Sequence, residues 1–225
     1  MRTRRLATVN QPPGFFAVAG FARAALPPPP ARVLEVGAGS GELAAALEAA
    51  GYDVVAIDPA SGSPNVRRVP LHALDEPAGS FDGAVAVLSL HHVEPLEESC
   101  RVLAELVRPG GVLVIDEFDV ERFDERAARW LIDARGAAWP EHRRDPHVIV
   151  AELREHLHTL PRIRAALDEW FALGEPVRGA YLYRWDLPHG LREPEEEGIA
   201  TGCLPATGAR VVGRRRQATE RFRIR

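Results

Sequence analysis

Apolar and polar positions alternate in blocks along the first half of the chain. Val33–Val36, Asp53–Ile57, Ala84–Leu88 and Val112–Ile115 are short runs dominated by β-branched or otherwise apolar residues, with a weaker run at Val66–Val69. Between the first two lies Glu42–Ala50, made of strong helix formers and stopped by Gly51. Leu96–Val107 puts Leu96, Cys100, Leu103 and Val107 on one stripe, the spacing of a helix face. Short wholly apolar strands separated by helices predict a parallel sheet covered on both faces.

The second half is less regular. Asp119–Trp139 has a helical pattern, with Phe123, Ala127, Trp130 and Leu131 on one side. Ile149–Phe171 is helical too, broken at Pro161, which fits the first turn of a second helix. Val177–Trp185 alternates, with Tyr181, Tyr183 and Trp185 in step, and so predicts a half-buried strand. Arg210–Arg214 gives a last strand, and an Arg-rich polar tail follows. At the other end, the tetraproline Pro27–Pro30 must be extended rather than helical. It sets off Gly14–Leu26, expected to be a helix packed on the domain. The organisation expected is one domain over residues 1–225. Residues 1–30 form an N-terminal helix and proline-rich lead, and 119–170 a helical insertion able to cap a substrate.

Composition narrows the function classes. The chain is 46% hydrophobic and 27% charged, ordinary for a globular domain, and its net charge of −4 lacks the basic footprint of a nucleic-acid binder. Its basic residues are all Arg, which fits GC-rich coding better than an Arg-specific role. The Arg-rich end, Arg214–Arg216 with Arg221, Arg223 and Arg225, reads as a solvated tail. Cys100 and Cys203 have neither metal-ligand nor disulfide-framework spacing, as expected of reduced thiols in the cytoplasm. No apolar run is long enough for a membrane span, and Asn10, Pro12 and Pro13 break any signal-like core. The expectation is a cytoplasmic protein, monomeric or homodimeric, that binds neither membrane nor nucleic acid.

The chemistry concentrates at Val33-Leu34-Glu35-Val36-Gly37-Ala38-Gly39-Ser40-Gly41, after a strand and before a helix. Glycines let the backbone turn sharply and approach a ligand, and the helix start offers free N–H groups. A dinucleotide fingerprint spaces its glycines G-x-G-x-x-G. Here they fall at 37, 39 and 41, and Glu35 stands two residues before the first. An acid there repels a pyrophosphate and suits a cationic ligand end. Asp58 ends the second strand, where a carboxylate can accept both ribose hydroxyls.

VLEVGAGSG, VVAID ending at Asp58, FDGAVAVLSLHHV and LVRPGGVLVIDEF occur in that order over residues 31–118. Together they resemble the signature motifs of the class I S-adenosylmethionine-dependent methyltransferases, in their bacterial small-molecule form. The resemblance implies a Rossmann-like α/β fold: a seven-stranded, mostly parallel sheet with an antiparallel last strand and helices on both faces. It also implies S-adenosylmethionine as cofactor. Glu35, Gly37, Ala38, Gly39 and Gly41 would lie near the methionine part, Asp58 on the ribose and Pro59 beside the adenine, with Leu88 and Ser89 after the fourth strand also lining the site. Many relatives carry an acid after the third strand for the adenine amino group. Leu71 and His72 stand there instead, so backbone or His72 must serve.

His91 and His92 follow the fourth strand, at the edge where open α/β sheets bind ligands. A near-neutral imidazole can take a proton from a hydroxyl nucleophile. A His-His pair that only packs near the cofactor fits the sequence equally. Asp116 and Glu117 end the fifth strand at the same edge, and Glu117 joins His91 and His92 as a catalytic candidate. Without a third ligand at recognisable spacing, no metal is expected. Two marks of nucleic-acid methylation are missing: Ser89-Leu90-His91 replaces an Asn- or Asp-Pro-Pro-aromatic motif, and neither Cys follows a Pro. The function expected is methyl transfer to the oxygen or nitrogen of a small molecule. The alternatives are a non-catalytic S-adenosylmethionine-binding module and an NAD(P)-dependent oxidoreductase. A Tyr-x-x-x-Lys pair cannot exist in a chain without lysine.

Overall fold

A computed structural model describes residues 15–136, 145–185 and 187–217. Trp139 and His142, two aromatic positions expected to shape a cap, lie outside these residues, as do Arg221, Arg223 and Arg225. Strands are β1 (Arg32–Val36), β2 (Asp53–Ile57), β3 (Phe81–Val87), β4 (Val107–Phe118), β5 (Phe171–Leu173), β6 (Val177–Gly179) and β7 (Gly208–Arg215). Helices are α1 (Phe15–Ala25), α2 (Glu42–Ala49), α3 (Leu96–Leu106), α4 (Glu125–Arg135), α5 (Pro146–His156), α6 (Leu160–Asp168) and α7 (Arg192–Ala200). The seven strands form one sheet in the order β2-β1-β3-β4-β7-β5, with β6 also on β7. β1 to β4 pair in parallel, and β7 runs antiparallel to β4, β5 and β6. The expected doubly wound sheet is present, with its antiparallel strand inserted beside β4.

The alternation of side chains along β1, β3 and β4 builds two cores. Leu34, Val36, Ala84, Ala86, Leu113 and Ile115 face α3 and α6. Val33, Val85, Val112 and Val114 face α1 and α2, where Val18, Ala22, Leu43 and Leu47 meet them. Burial on both faces is why these strands read as unbroken apolar runs. β1 feeds α2 on one face and β3 feeds α3 on the other. The chain therefore parts at the carboxyl ends of β1 and β3, and a crevice opens there.

Two expected strands differ. Val66–Val69 contributes only an isolated parallel bridge, Ile57 to Arg67. Pro64 and Pro70 flank it, and neither has an N–H to extend a ladder. The strand expected over Val177–Trp185 stops at Gly179, and Leu182–Arg184 is a 3-10 turn. The buried Glu195 of α7 causes this. Its carboxylate accepts the N–H groups of Tyr181, Leu182 and Tyr183 at 2.7, 2.9 and 2.8 Å, donors a strand would spend on a neighbour. The helix expected from Asp119 starts at Glu125, because the Asp124 side chain accepts from the N–H of Arg126 and Ala127 and caps it. Pro161 opens α6 behind the Thr159 cap, as its place in the sequence predicts.

Around the end of β4 a third apolar cluster forms. Phe118 stacks on Tyr181 with ring centroids 4.9 Å apart and meets Trp185 at 5.0 Å and Phe123 at 5.6 Å. Leu131 of α4 and Ile149 of α5 join it, so these helices and the 181–185 turn pack as a unit over the sheet's carboxyl edge.

Candidate active site

The β1–α2 turn is held by its backbone. Gly37 and Ala38 donate to the Ile57 carbonyl at 2.9 and 3.0 Å, and Gly41 donates to Ala38 at 2.8 Å. Gly37, Gly39 and Gly41 have φ of 72°, 54° and 84°, a region costly for residues bearing a Cβ. A Cβ on Gly37 would stand 2.2 Å from Cβ of Ser89, so the turn and the end of β3 touch with no room for a methyl group. Ala38 packs beneath, with Ala44, Ala56 and Val66. Asp58 accepts from the N–H of Gly39 at 3.0 Å and of Ala60 at 2.8 Å, which aims its carboxylate at the mouth of the turn.

Two cavities meet at Gly37, Asp58 and Leu88. The first, about 390 Å³, is walled largely by apolar side chains, among them Val36, Ile57, Pro59, Val69 and Leu71. Ser89 and His92 also line it, and His72 does not. His72 is half-buried, and its Nδ1 is buried without a partner. Apolar walls with the carboxylates of Asp58 and Glu94 among the lining fit a nucleoside. The second cavity, about 420 Å³, is lined by Glu35, the glycine turn, Glu42 and Arg184. Leu88, at φ 54°, is the one non-glycine with positive φ among the described residues. Such strain persists where the surroundings impose it, often at functional sites.

Glu35 is 3% exposed, and its Oε2 is buried without a hydrogen-bond partner. Burial pushes its pKa up to about 8, against a weaker opposing bond from the Ala44 backbone. A buried acid left half-satisfied has room for a hydrogen-bonding ligand, and a cationic one would let it ionise; the glycine cradle admits such a ligand to the backbone. These features fit the amino-acid and nucleoside ends of S-adenosylmethionine. Two acids, Glu35 and Glu42, line the cavity where a dinucleotide would put its pyrophosphate.

The linkage has a definite sign. Glu35 binds its proton more tightly folded than unfolded, so its stability contribution is complete below about pH 4.5 and is lost as pH rises to about 8. A cationic ligand reverses the preference and expels the proton. We expect S-adenosylhomocysteine binding at pH 7 to release protons, seen as a buffer-dependent calorimetric enthalpy. Glu35→Gln is expected to release fewer and to flatten the fall of melting temperature between pH 5 and 8. Equal release by both proteins would remove Glu35 from the ligand site.

The two histidines part company. His91 is buried and its Nδ1 pairs with Oε2 of Glu117. Oε1 of the fully buried Glu117 accepts from the N–H of Ser89 at 2.9 Å and Leu90 at 2.6 Å. Among the described residues, neither His91 nor Glu117 lines the two cavities. His92 does; its ring lies 4.3 Å from that of His91. Burial, and then His91, pull the His92 pKa below the usual histidine value. The neutral, proton-accepting form therefore prevails at neutral pH. Asp116 is held by Arg184 at 2.8 and 3.2 Å and by Arg210 at 2.9 Å.

Three residues of this region escape sequence reasoning. Arg184 and Glu195 carry no local signal: one sits in an aromatic run, the other in an acidic one. His158 donates its N–H to the His91 carbonyl at 3.0 Å, and its Nε2 lies 3.0 Å from the Val93 carbonyl and from Glu94. It ties the α5–α6 corner to the turn bearing His92, a contact visible only in three dimensions.

The parallel sheet, the glycine cradle over Asp58 and the two joined cavities have the architecture of the class I, Rossmann-like methyltransferases. A family model described as a methyltransferase domain matches residues 15–158, and the chain belongs to that family. It is 35% identical over 112 residues to a ubiquinone biosynthesis O-methyltransferase of Xanthomonas axonopodis pv. citri (strain 306), over 42% of this chain and 46% of that protein. The match thus spans about half the length of that curated relative. A crystal structure of an S-adenosylmethionine dependent methyltransferase from Mesorhizobium loti superposes with TM-score 0.59 at 23% identity, covering 90% of this chain and all of the other. Burkholderia thailandensis 1,6-didemethyltoxoflavin-N1-methyltransferase, solved with bound 1,6-didemethyltoxoflavin and S-adenosylhomocysteine, gives 0.56 at 20% identity, covering 91% and 79%. At these identities the structures speak for the fold. No helix among the described residues is long and apolar enough to cross a membrane.

Proposed function

We propose that this protein methylates an oxygen or nitrogen of a small molecule, with S-adenosylmethionine as donor. The observation that carries this reading is the meeting of an apolar, Asp58-rimmed cavity with one holding an orphaned buried acid at Gly37. The relatives named for small-molecule methylation support it. The donor supplies a methyl group already activated on sulfur. What is left to the protein is to bind, orient and exclude water. Glu35 holds the ammonium, and the backbone of Gly37, Ala38, Gly39 and Gly41 admits the amino-acid end. Asp58 takes the ribose hydroxyls. Pro59, Leu71, Leu88 and Ser89, which line the first cavity, bracket the base, and His72, which does not line it, takes no part. Residues 119–170, with the 181–185 turn, serve as the acceptor's cap within a single domain. The aromatic cluster on Phe118 fits an acceptor with apolar surface, worked on as a free metabolite in the cytoplasm.

In this reading His92 accepts the proton of the nucleophile, while Glu117 and His91 position the β3 loop that carries it. His92→Gln is expected to lower turnover roughly 10²–10⁴-fold with S-adenosylhomocysteine affinity kept within about threefold. The wild-type rate should fall only below the usual histidine pKa, because the shift is downward, and that acid limb should vanish in the variant. Parallel loss of affinity and rate, with the pH profile unchanged, would make His92 a packing residue.

A further inference from the structure

Arg184 belongs to none of the motifs of the first half of the chain, yet it reaches the cavity that holds Glu35 and the glycine turn. It comes from the 181–185 turn, which Glu195 fixes by three backbone bonds. Its side chain is only 8% exposed. Asp116 takes two of its N–H groups, and a guanidinium has five. Asp116 is also bonded by Arg210, so this trio of one carboxylate and two guanidiniums keeps one positive charge. Part of it borders the cavity through Arg184. The acid Glu35 lines the same cavity, with one oxygen unpartnered. A buried cation and a buried acid that ionises only for a cationic partner face one space without pairing with each other, and so call for a ligand carrying both charges. An α-amino acid group is such a ligand, and guanidinium binds a carboxylate by paired, directional bonds.

We propose that Arg184 is the carboxylate anchor for the amino-acid end of the cofactor, opposite Glu35. The inference rests on the cofactor reading above. It adds that the cap turn, rather than the glycine loop alone, grips the donor. The donor is thereby tied to the 181–185 turn, whose aromatic cluster packs at the sheet edge where the acceptor must be received.

The test removes the carboxylate from the ligand as well as the arginine from the protein. The full chain is titrated calorimetrically with S-adenosylmethionine and with its decarboxylated form, which keeps sulfonium, amine and adenosine. Wild type should bind the decarboxylated ligand roughly 10- to 100-fold more weakly, the range for hydrogen bonds between charged groups. Arg184→Met should bind both ligands alike, at about the weaker value, and Arg184→Lys should recover part of the difference. Such coupling between two deletions marks direct contact. Equal wild-type affinity for the two ligands would overturn the anchor even if Arg184→Met failed to fold. So would an Arg184→Met protein that still discriminates; the wild-type Arg184 would then face the acceptor instead. Wild type binding neither ligand would bring down the cofactor reading itself, a separate result.

Discussion

Gly37→Ala is expected to cripple the cofactor site and destabilise the fold, while the same change two residues on costs the fold less. The new Cβ at position 37 would lie 2.2 Å from Ser89 Cβ and 3.5 Å from its Cα. Those atoms cannot swing aside, because Ser89 N is bonded to the buried Glu117. The turn or the β3 loop must move. At Gly39 a Cβ meets nothing within 4 Å, so only the left-handed backbone penalty applies, about 1–2 kcal/mol. At Gly37 the overpacking, about 1–3 kcal/mol, adds to it. The expected loss is therefore roughly 2–5 kcal/mol for Gly37→Ala and under about 2 for Gly39→Ala. S-adenosylhomocysteine affinity should fall roughly tenfold or more in Gly37→Ala. Denaturant unfolding and calorimetry on the two variants check this. Equal penalties would mean that the close contact with Ser89 is not what shapes the cradle.

Glu117→Ala is expected to cost about 3–5 kcal/mol, the penalty for leaving buried charged or hydrogen-bonded partners without their mate. The deleted carboxylate serves Ser89, Leu90 and the imidazole of His91 from a position with no solvent exposure. Water cannot replace it without a cavity that remains polar on all sides. For a chain of this size the melting temperature should drop by roughly 6–20 °C. Glu117→Gln keeps one acceptor oxygen for the two amides and an NH₂ for His91, and it should lose less than half as much. If Gln were as damaging as Ala, the negative charge itself, rather than the hydrogen-bonding clamp, would be what Glu117 contributes. If Ala were harmless, the clamp would carry no weight.

Both predictions concern residues legible in the sequence, though for different reasons. Gly37 and Asp58 announce themselves because a turn, a helix start and a strand end are local events with local composition. The apolar runs of β1, β3 and β4 are legible because burial on both faces makes their central positions mostly apolar. Glu117 stands out by its place at a strand end, but its partners 26 to 28 residues away do not. The same holds for Glu195: nothing in Glu193–Glu197 says which carboxylate turns inward, and it alone of the run is fully buried. Its capture of three N–H groups overrides the period-two pattern of Tyr181, Tyr183 and Trp185. Val66–Val69 shows the converse, a strand-like run that flanking prolines restrict to a single bridge. Local pattern therefore finds the sheet and the cradle, and long-range polar contacts decide the cap and what it holds.

The central claim is that the joined cavities take S-adenosylmethionine rather than a dinucleotide. Side-by-side calorimetric titration of the full chain with S-adenosylhomocysteine and with NAD tests it directly. The structure predicts one site for S-adenosylhomocysteine at roughly micromolar affinity, about −8 kcal/mol, and NAD weaker by at least tenfold, because Glu42 faces the place of its pyrophosphate and the buried Glu35 beside it is satisfied by a cation rather than a phosphate. NAD binding as tightly as S-adenosylhomocysteine, or more tightly, would contradict the account.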